Sequence, residues 1–481
     1  MLGRLAFYII MDKQQIISKF LKTSGVYFFG KVATYVVSFL MIRYYTNNVL
    51  PEEYGDFELL SSLYAVIIPF LFIEIWSGVL RFSINKGIDE QKQVISTSII
   101  VIAPFIVLYT VIYFIICNFI SIPHALTMYV VSLMFLFLNM MMMVSRAFAK
   151  NTLFAISGII GAVANAITGY VCVGVFHLEC EALLLAMIAN YVIQIVFLVF
   201  GTKVWRFISI GSFSWPVAKQ LIVFCLPFSI NTLLYYLNTN YYRVVVDRNL
   251  GSDVLGIFVV GTKFCVIVTF VVSVFHLAWQ ELTFSQSEDK SRFVLYKQGL
   301  GIIEDVLIIS TLAIIPLVKI IAPFFIGEAY SGALEYVPFY YVTIYFTSIS
   351  GFLYNTLAAE KITVYHPLVK FFAAIAYLGI MYLFIKTIGI YAVIWGAVLS
   401  GLIEWGLLLI VCKKRIQLGI TLTPFICFSV MYCIGSLVFI KCSPLVNGLY
   451  MIAIITIGSV LFLRRHNELI APFYNGIRKK F

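Results

Sequence analysis

Lys31, Tyr35 and Ser38, followed by Arg43, form a pattern that returns 200 residues later as Asn231, Tyr235 and Asn238, followed by Arg243. Positions i, i+4 and i+7 share one face of a helix, so each pattern lays a polar, partly aromatic stripe along a helix. Tyr242 extends the second stripe. Such side chains suit two kinds of recognition. Lysine and arginine pair with phosphate oxygens. Amides and tyrosine hydroxyls hydrogen-bond sugar hydroxyls, and tyrosine rings stack on the apolar face of a sugar. Bonding between helices is the other use of Asn and Tyr in apolar surroundings. The recurrence of the stripe favours the lining of a cavity.

Two further cations, Arg81 and Lys263, join Lys31 and Arg243 as candidates for holding an anionic group. A charged side chain at the centre of a membrane span costs about 2.5–3.5 kcal/mol, so an unpaired one facing lipid is hard to justify. Lys31 also has the option of snorkelling to the interface, and Arg81 and Arg243 that of anchoring a helix end. The acids are fewer. Glu74 and Glu404 each fall within an apolar run, and Glu304-Asp305 begin another. Two readings stand for Glu74 and Glu404: neutralising a neighbouring cation, or taking up protons in a coupled transport cycle, since burial favours the protonated carboxyl.

These residues are positioned by membrane helices. The chain is 62% hydrophobic and 11% charged, with a mean hydropathy of +1.01, whereas about 25% charge is usual in soluble domains. Apolar runs long enough to cross about 30 Å of hydrocarbon recur throughout. Fourteen are predicted, over about 26–46, 57–80, 94–118, 126–145, 153–176, 181–201, 221–243, 254–277, 299–323, 335–357, 367–385, 389–411, 423–440 and 446–463. Continuous apolar runs exclude a β-barrel, whose strands alternate. The expected fold is therefore an all-α polytopic membrane protein of about fourteen (twelve to fourteen) transmembrane helices.

The net charge of +11 does not point to nucleic acid, because of where it lies. Of the 33 Lys and Arg residues, 25 fall on the side of the termini in this topology, which places both termini in the cytoplasm. Clusters such as Lys413-Lys-Arg415 and Arg478-Lys-Lys480 read as topology anchors that meet membrane lipid head groups. Residues 1–10 lack a cleavable signal pattern, Met11 offers a second start, and Asp12 to Lys22 suggests an interfacial helix.

The repeat continues beyond the stripes. Leu50-Pro-Glu-Glu-Tyr-Gly55 corresponds to Leu250-Gly-Ser-Asp-Val-Leu-Gly256, and Trp76 to Phe82-Ser83 to Trp279 to Phe284-Ser285. Six spans separate equivalent positions, so the halves are parallel repeats. The expected organisation is a cytoplasmic segment 1–25, a six-helix bundle 26–201, a linker 202–220, a second bundle 221–411, two additional helices 412–463 and a basic tail 464–481.

Catalytic signatures are missing. There is no phosphate-binding Gly-x-x-x-x-Gly-Lys-Ser/Thr loop, no Asp-x-Asp, no His-Glu-x-x-His and no Cys-x-x-Cys. The five histidines are scattered among loops and span ends. Cys172 and Cys180 have two readings, a meeting near the outer surface and, the commoner one, ordinary membrane-core thiols. No metal and no cofactor are expected. Met140 to Met143 read as packing.

Two six-span halves plus two spans, the polar first span and the Leu50-Pro-Glu-Glu-Tyr-Gly55 turn resemble the polysaccharide-export branch of the multidrug/oligosaccharidyl-lipid/polysaccharide (MOP) flippase superfamily. The likeness covers nearly the whole chain. It implies a V-shaped pair of bundles around a cationic cavity in a bacterial cytoplasmic membrane. It also implies a substrate of the undecaprenyl-diphosphate-linked oligosaccharide kind, such as an O-antigen unit, with room for contact with a polysaccharide polymerase and a chain-length regulator. Fourteen spans depart from the twelve drawn for many O-unit flippases and match the lipid II branch. A drug/cation antiporter of the same superfamily and an integral-membrane glycan polymerase or acyltransferase are the rival readings. The first would rely on buried acids and aromatic pockets more than on cations, and the second on a sizeable outer loop or a positioned His/Asp/Arg centre, whereas the outer loops expected here are short.

Overall fold

The structure, a computed structural model, describes residues 32–466 apart from 85, 286–291, 361, 363, 417 and 419–422. Every regular element among the described residues is helical. Helix α1 covers 32–48. It is followed by α2 (Pro51–Leu71), α3 (Ile75–Ser83), α4 (Ile88–Phe119), α5 (Ala125–Ala147), α6 (Asn151–Gly174), α7 (Cys180–Thr202), α8 (Trp215–Thr239) and α9 (Tyr242–Leu250). The chain continues through α10 (Ser252–Lys263), α11 (Val266–Ser285), α12 (Arg292–Phe325), α13 (Ala333–Ala359), α14 (Tyr365–Ile388), α15 (Tyr391–Arg415), α16 (Thr423–Lys441) and α17 (Pro444–Arg465).

Among the described residues, eleven helices are long and apolar enough to cross a membrane, and the bent pair α10–α11 makes a twelfth. Two more expected spans are helical but fall outside that set. Helix α1 is described only from residue 32, and α13 carries five tyrosines with several Ser and Thr. Each of the fourteen expected spans thus overlaps a helix among the described residues, and twelve of them are long and apolar enough to cross a membrane. Three of them are broken in two: α2/α3, α8/α9 and α10/α11. The interfacial segment expected before residue 26 and most of the basic tail lie outside the described residues.

The chain divides into two compact units, Met1–Tyr236 and Leu237–Phe481. The division falls inside α8 rather than in the expected linker 202–220, because the first part of α8 packs on unit 1. Ala218, Leu221 and Cys225 are fully buried, and a Cβ added at Gly78 of α3 would collide with the Leu221 and Cys225 side chains. In unit 1, α7 packs along α5 and α6, and α3 along α4 and α5. Its core includes Ile68, Phe72, Ile75, Trp76 and Val79, with Tyr64 bonded to the Tyr191 hydroxyl at 3.0 Å. Met140 and Met141 pack in that core as expected for space-filling thioethers.

Unit 2 is organised about α13, which packs against α10, α11, α12 and α15. Its Tyr341, Tyr345, Phe352 and Leu353 are fully buried. Trp279, expected from the sequence to correspond to the buried Trp76, stacks on Phe352 at 4.6 Å and donates to Thr356 Oγ1 at 3.1 Å. Helix α17 lies along α12. There Asp305 accepts from Arg465 at 2.7 Å and meets His466 Nε2 at 2.9 Å.

Candidate functional site

In unit 1 the most organised polar centre is Glu74. Pro69 lacks the N–H that would continue the α2 ladder, and the helix ends at Leu71. The chain then passes through Ile73 and Glu74 with φ of 47° and 49°. Left-handed backbone is uncommon for any residue but Gly and a clear outlier for a β-branched one. The turn is closed by a bond from the Glu74 N–H to the Pro69 carbonyl at 2.8 Å. The half-buried carboxylate accepts from Ser77 Oγ at 3.2 Å and from Thr232 Oγ1 of α8 at 2.9 Å. No cation pairs with it among the described residues. Of the two readings open for Glu74, neutralisation of a neighbour finds no support here; the carboxylate is held by hydroxyls.

Glu404 differs. It is 5% exposed on α15 and pairs with Lys370 of α14 at 2.8 Å. A buried acid bonded to a lysine is the neutralising arrangement, and Lys370 was not among the candidate cations.

The second stripe is divided by the structure. Asn231 and Tyr235 stand exposed on α8, with Tyr235 62% accessible. Asn238 is half-buried one turn further on. Helix α8 then stops at Thr239, and Tyr242 opens α9 as a buried residue packed edge-on against Phe258 at 5.5 Å. Periodicity alone assumes an unbroken helix, so it could not separate Tyr242 from the others. Arg243 follows, half-buried, with its guanidinium 5.2 Å from the Tyr242 ring and Nη1 donating to Asn240 Oδ1. The first stripe leaves Tyr35 and Ser38 exposed on α1. Lys31 lies outside the described residues. Arg81 is exposed in the last turn of α3, as a helix-end cation would be.

Lys263 ends α10, half-buried, where the helix bends by 43° into α11. A cation at a helix carboxyl end is favoured by the macrodipole. The break frees the Phe264 carbonyl, which accepts from Tyr341 Oη of α13 at 2.8 Å. Tyr341 was not singled out in the sequence, because only the break gives it a partner. The apolar grooves within the units, lined by residues such as Leu153, Val196 and Phe200 in unit 1 and Ile309, Ile455 and Phe462 in unit 2, carry no charged side chain. All nine cysteines are free.

The fold is shared by a number of solved structures, among them the following three. The first is "Lipid II flippase MurJ, inward closed conformation", at 15% identity over 92% of this chain and 99% of that one, with a TM-score of 0.69. The second is an inward-facing multidrug resistance MATE family transporter of the MOP superfamily, at 12% identity over 80% and 96%, with a TM-score of 0.65. An outward-facing conformation of a transporter of that kind matches at 14% identity over 82% and 95%, with a TM-score of 0.57. The chain thus has the fold of these transporters. No curated protein matches the chain in sequence. The family model described as "Polysaccharide biosynthesis protein" matches residues 49–292. The chain belongs to that family, and it is a multi-pass membrane protein.

Proposed function

We propose that the chain flips a polyprenyl-diphosphate-linked oligosaccharide, an O-antigen or similar surface-polysaccharide repeat unit, from the cytoplasmic to the periplasmic leaflet by alternating access. The observation that carries this reading is the family match over residues 49–292. The likeness in fold to a structure titled as a lipid II flippase supports it.

The physical requirement is clear. A glycan and a diphosphate cannot cross hydrocarbon unaided, since each unpaired polar group costs several kcal/mol. In this reading Lys31, Arg81, Arg243 and Lys263 pair the diphosphate, and Tyr35, Ser38, Asn231, Tyr235, Asn238 and Tyr242 meet the glycan while the polyprenyl tail stays in lipid. Glu74 is the preferred coupling carboxylate, because its side chain is held by two hydroxyls and by no cation among the described residues. Glu404 is less suited, since proton uptake would break its pair with Lys370. The two six-helix halves with two added helices, the cytoplasmic termini and contact with a polymerase and a chain-length regulator belong to the same proposal.

A strain lacking the chain tests it. Undecaprenyl-diphosphate-linked single units should accumulate on the cytoplasmic face, with surface polymer lost. Intact units that still reach the periplasm would overturn the reading. A drug/cation antiporter is the second reading, favoured by the hydroxyl-held Glu74 and by the likeness to multidrug transporters. Resistance to cationic dyes on overexpression, with no effect of deletion on surface polymer, would select it.

A further inference from the structure

Three segments distant in sequence meet at one end of unit 1: the start of α2, the α4–α5 turn and the start of α7. They bring together Glu53, His124 and Cys180, whose ligating atoms all lie within 4.8 Å of one another. His124 sits in a left-handed turn with φ of 50° immediately before α5. Cys180 has no solvent exposure, and its thiol makes no hydrogen bond among the described residues, although it points into this group. The Cys180 N–H donates to Glu53 Oε2 at 3.2 Å and so orients the carboxylate. Glu181 stands beside them, with Oε2 3.6 Å from His124 Nδ1 and Oε1 accepting from Thr127 at 3.2 Å.

Glu53, Asp56 and Glu181 all act electrostatically on Cys180, and neither Glu53 nor Glu181 pairs with a lysine or arginine among the described residues. A pair with Glu181 accounts for the orientation of His124 but leaves the buried thiol beside Glu53 without a role.

We propose that Glu53, His124 and Cys180 form a divalent-metal site, suited to zinc, that fastens together the ends of α2, α5 and α7. One sulfur, one imidazole nitrogen and one carboxylate oxygen make a borderline-soft donor set that fits zinc; magnesium and calcium prefer oxygen alone. Four-coordinate zinc needs one more ligand, from Glu181 or water. Ligand bonds of about 2.0–2.3 Å ask the three atoms to draw closer, which the half-exposed Glu53 and His124 side chains allow. The thiol binds as thiolate and releases its proton to water, so binding weakens as pH falls.

The test uses the full chain, free of any histidine tag, purified in detergent. The protein is incubated with zinc chloride and desalted; bound metal is measured by mass spectrometry, and thermal unfolding is followed with and without zinc. Wild type should keep about one zinc per chain, as a single tetrahedral site holds, and should melt higher with zinc but not with magnesium. His124→Asn and Cys180→Ser should each lose both effects. Asparagine tolerates a left-handed turn, so His124→Asn gives an answer even if Cys180→Ser folds poorly. Equal zinc retention by wild type and His124→Asn means an adventitious ion only, and overturns the proposal, as does an equal rise in melting with magnesium.

Discussion

Between α2 and α3 the backbone turns through two left-handed residues, Ile73 and Glu74, whereas between α10 and α11 it bends by 43° without a positive φ. The two breaks lie in different units, each in the span that follows a corresponding turn, at Pro51 and at Gly251. Left-handed backbone costs about 1–2 kcal/mol per non-glycine residue. In unit 1 that strain is offset by the burial of Phe72, Ile75 and Trp76 on both sides of the turn and by the hydroxyls of Ser77 and Thr232. In unit 2 the break is relaxed, with three-residue bonds from the Phe264 N–H to the Gly261 carbonyl at 3.4 Å and from the Cys265 N–H to the Thr262 carbonyl at 3.0 Å, and a single tyrosine on the freed carbonyl. The first device fixes a carboxylate in a strained loop. The second leaves a cation at the end of an unstrained helix. The two breaks thus carry opposite charges on opposite backbone conformations.

The largest expected effect separates fold from function at the strained break. Glu74→Asn replaces the residue by one more at ease at φ of 49°, so thermal stability should hold. Surface polymer in a complementation assay should fall at least about tenfold, equivalent to ~1.4 kcal/mol of lost differential interaction. Undiminished complementation removes Glu74 from the transport cycle.

At the relaxed break the sensitive atom is a glycine hydrogen. A Cβ at Gly261 would lie 2.7 Å from the Ala333 carbonyl oxygen, which is backbone and cannot swing away. Gly261→Ala should therefore destabilise by about 1–3 kcal/mol, the usual cost of overpacking. A melting temperature equal to wild type would show that α10 shifts freely against α13.

The smallest effects compare the bonds that hold each break. Interhelical hydrogen bonds in membranes average about 0.6 kcal/mol and reach about 1.7. Tyr341→Phe strips the Phe264 carbonyl of its tyrosine donor and should fall near the upper figure. Thr232→Val leaves Glu74 its bond to Ser77 and should fall near the lower. Thermal unfolding of the two variants side by side checks the order; the reverse order would make the α2/α3 break the one that depends on a single bond.

Much of the scaffold was legible because hydrocarbon imposes one rule on every span. Long apolar runs marked where the membrane helices lie, although three expected spans are each broken into two helices, and the turns at Pro51 and Gly251 marked helix starts. What the sequence hid was local backbone geometry. Pro69 signalled trouble in α2, yet the left-handed pair appears four and five residues later, at types that rarely adopt it. The stop at Thr239 has no proline or glycine beside it, so the stripe ending in Tyr242 read as one face. Ion pairing was equally hidden, since Lys370 reaches Glu404 across two helices whose mutual rotation no spacing reveals. Glu53, His124 and Cys180 are joined only by folding, and scattered histidines gave no motif to find.

The tie between Asp305 and the end of α17 bears on how the protein is made. Asp305 and the buried Glu304 beside it enter the bilayer with α12, while Arg465 and His466 are still untranslated. Chains emerge at about 5–20 residues per second, so for many seconds two neighbouring acids wait in the nascent second unit without those partners. The tie can form only once α17 has been made, so a factor that shields Glu304 and Asp305 until then would act on unit 2.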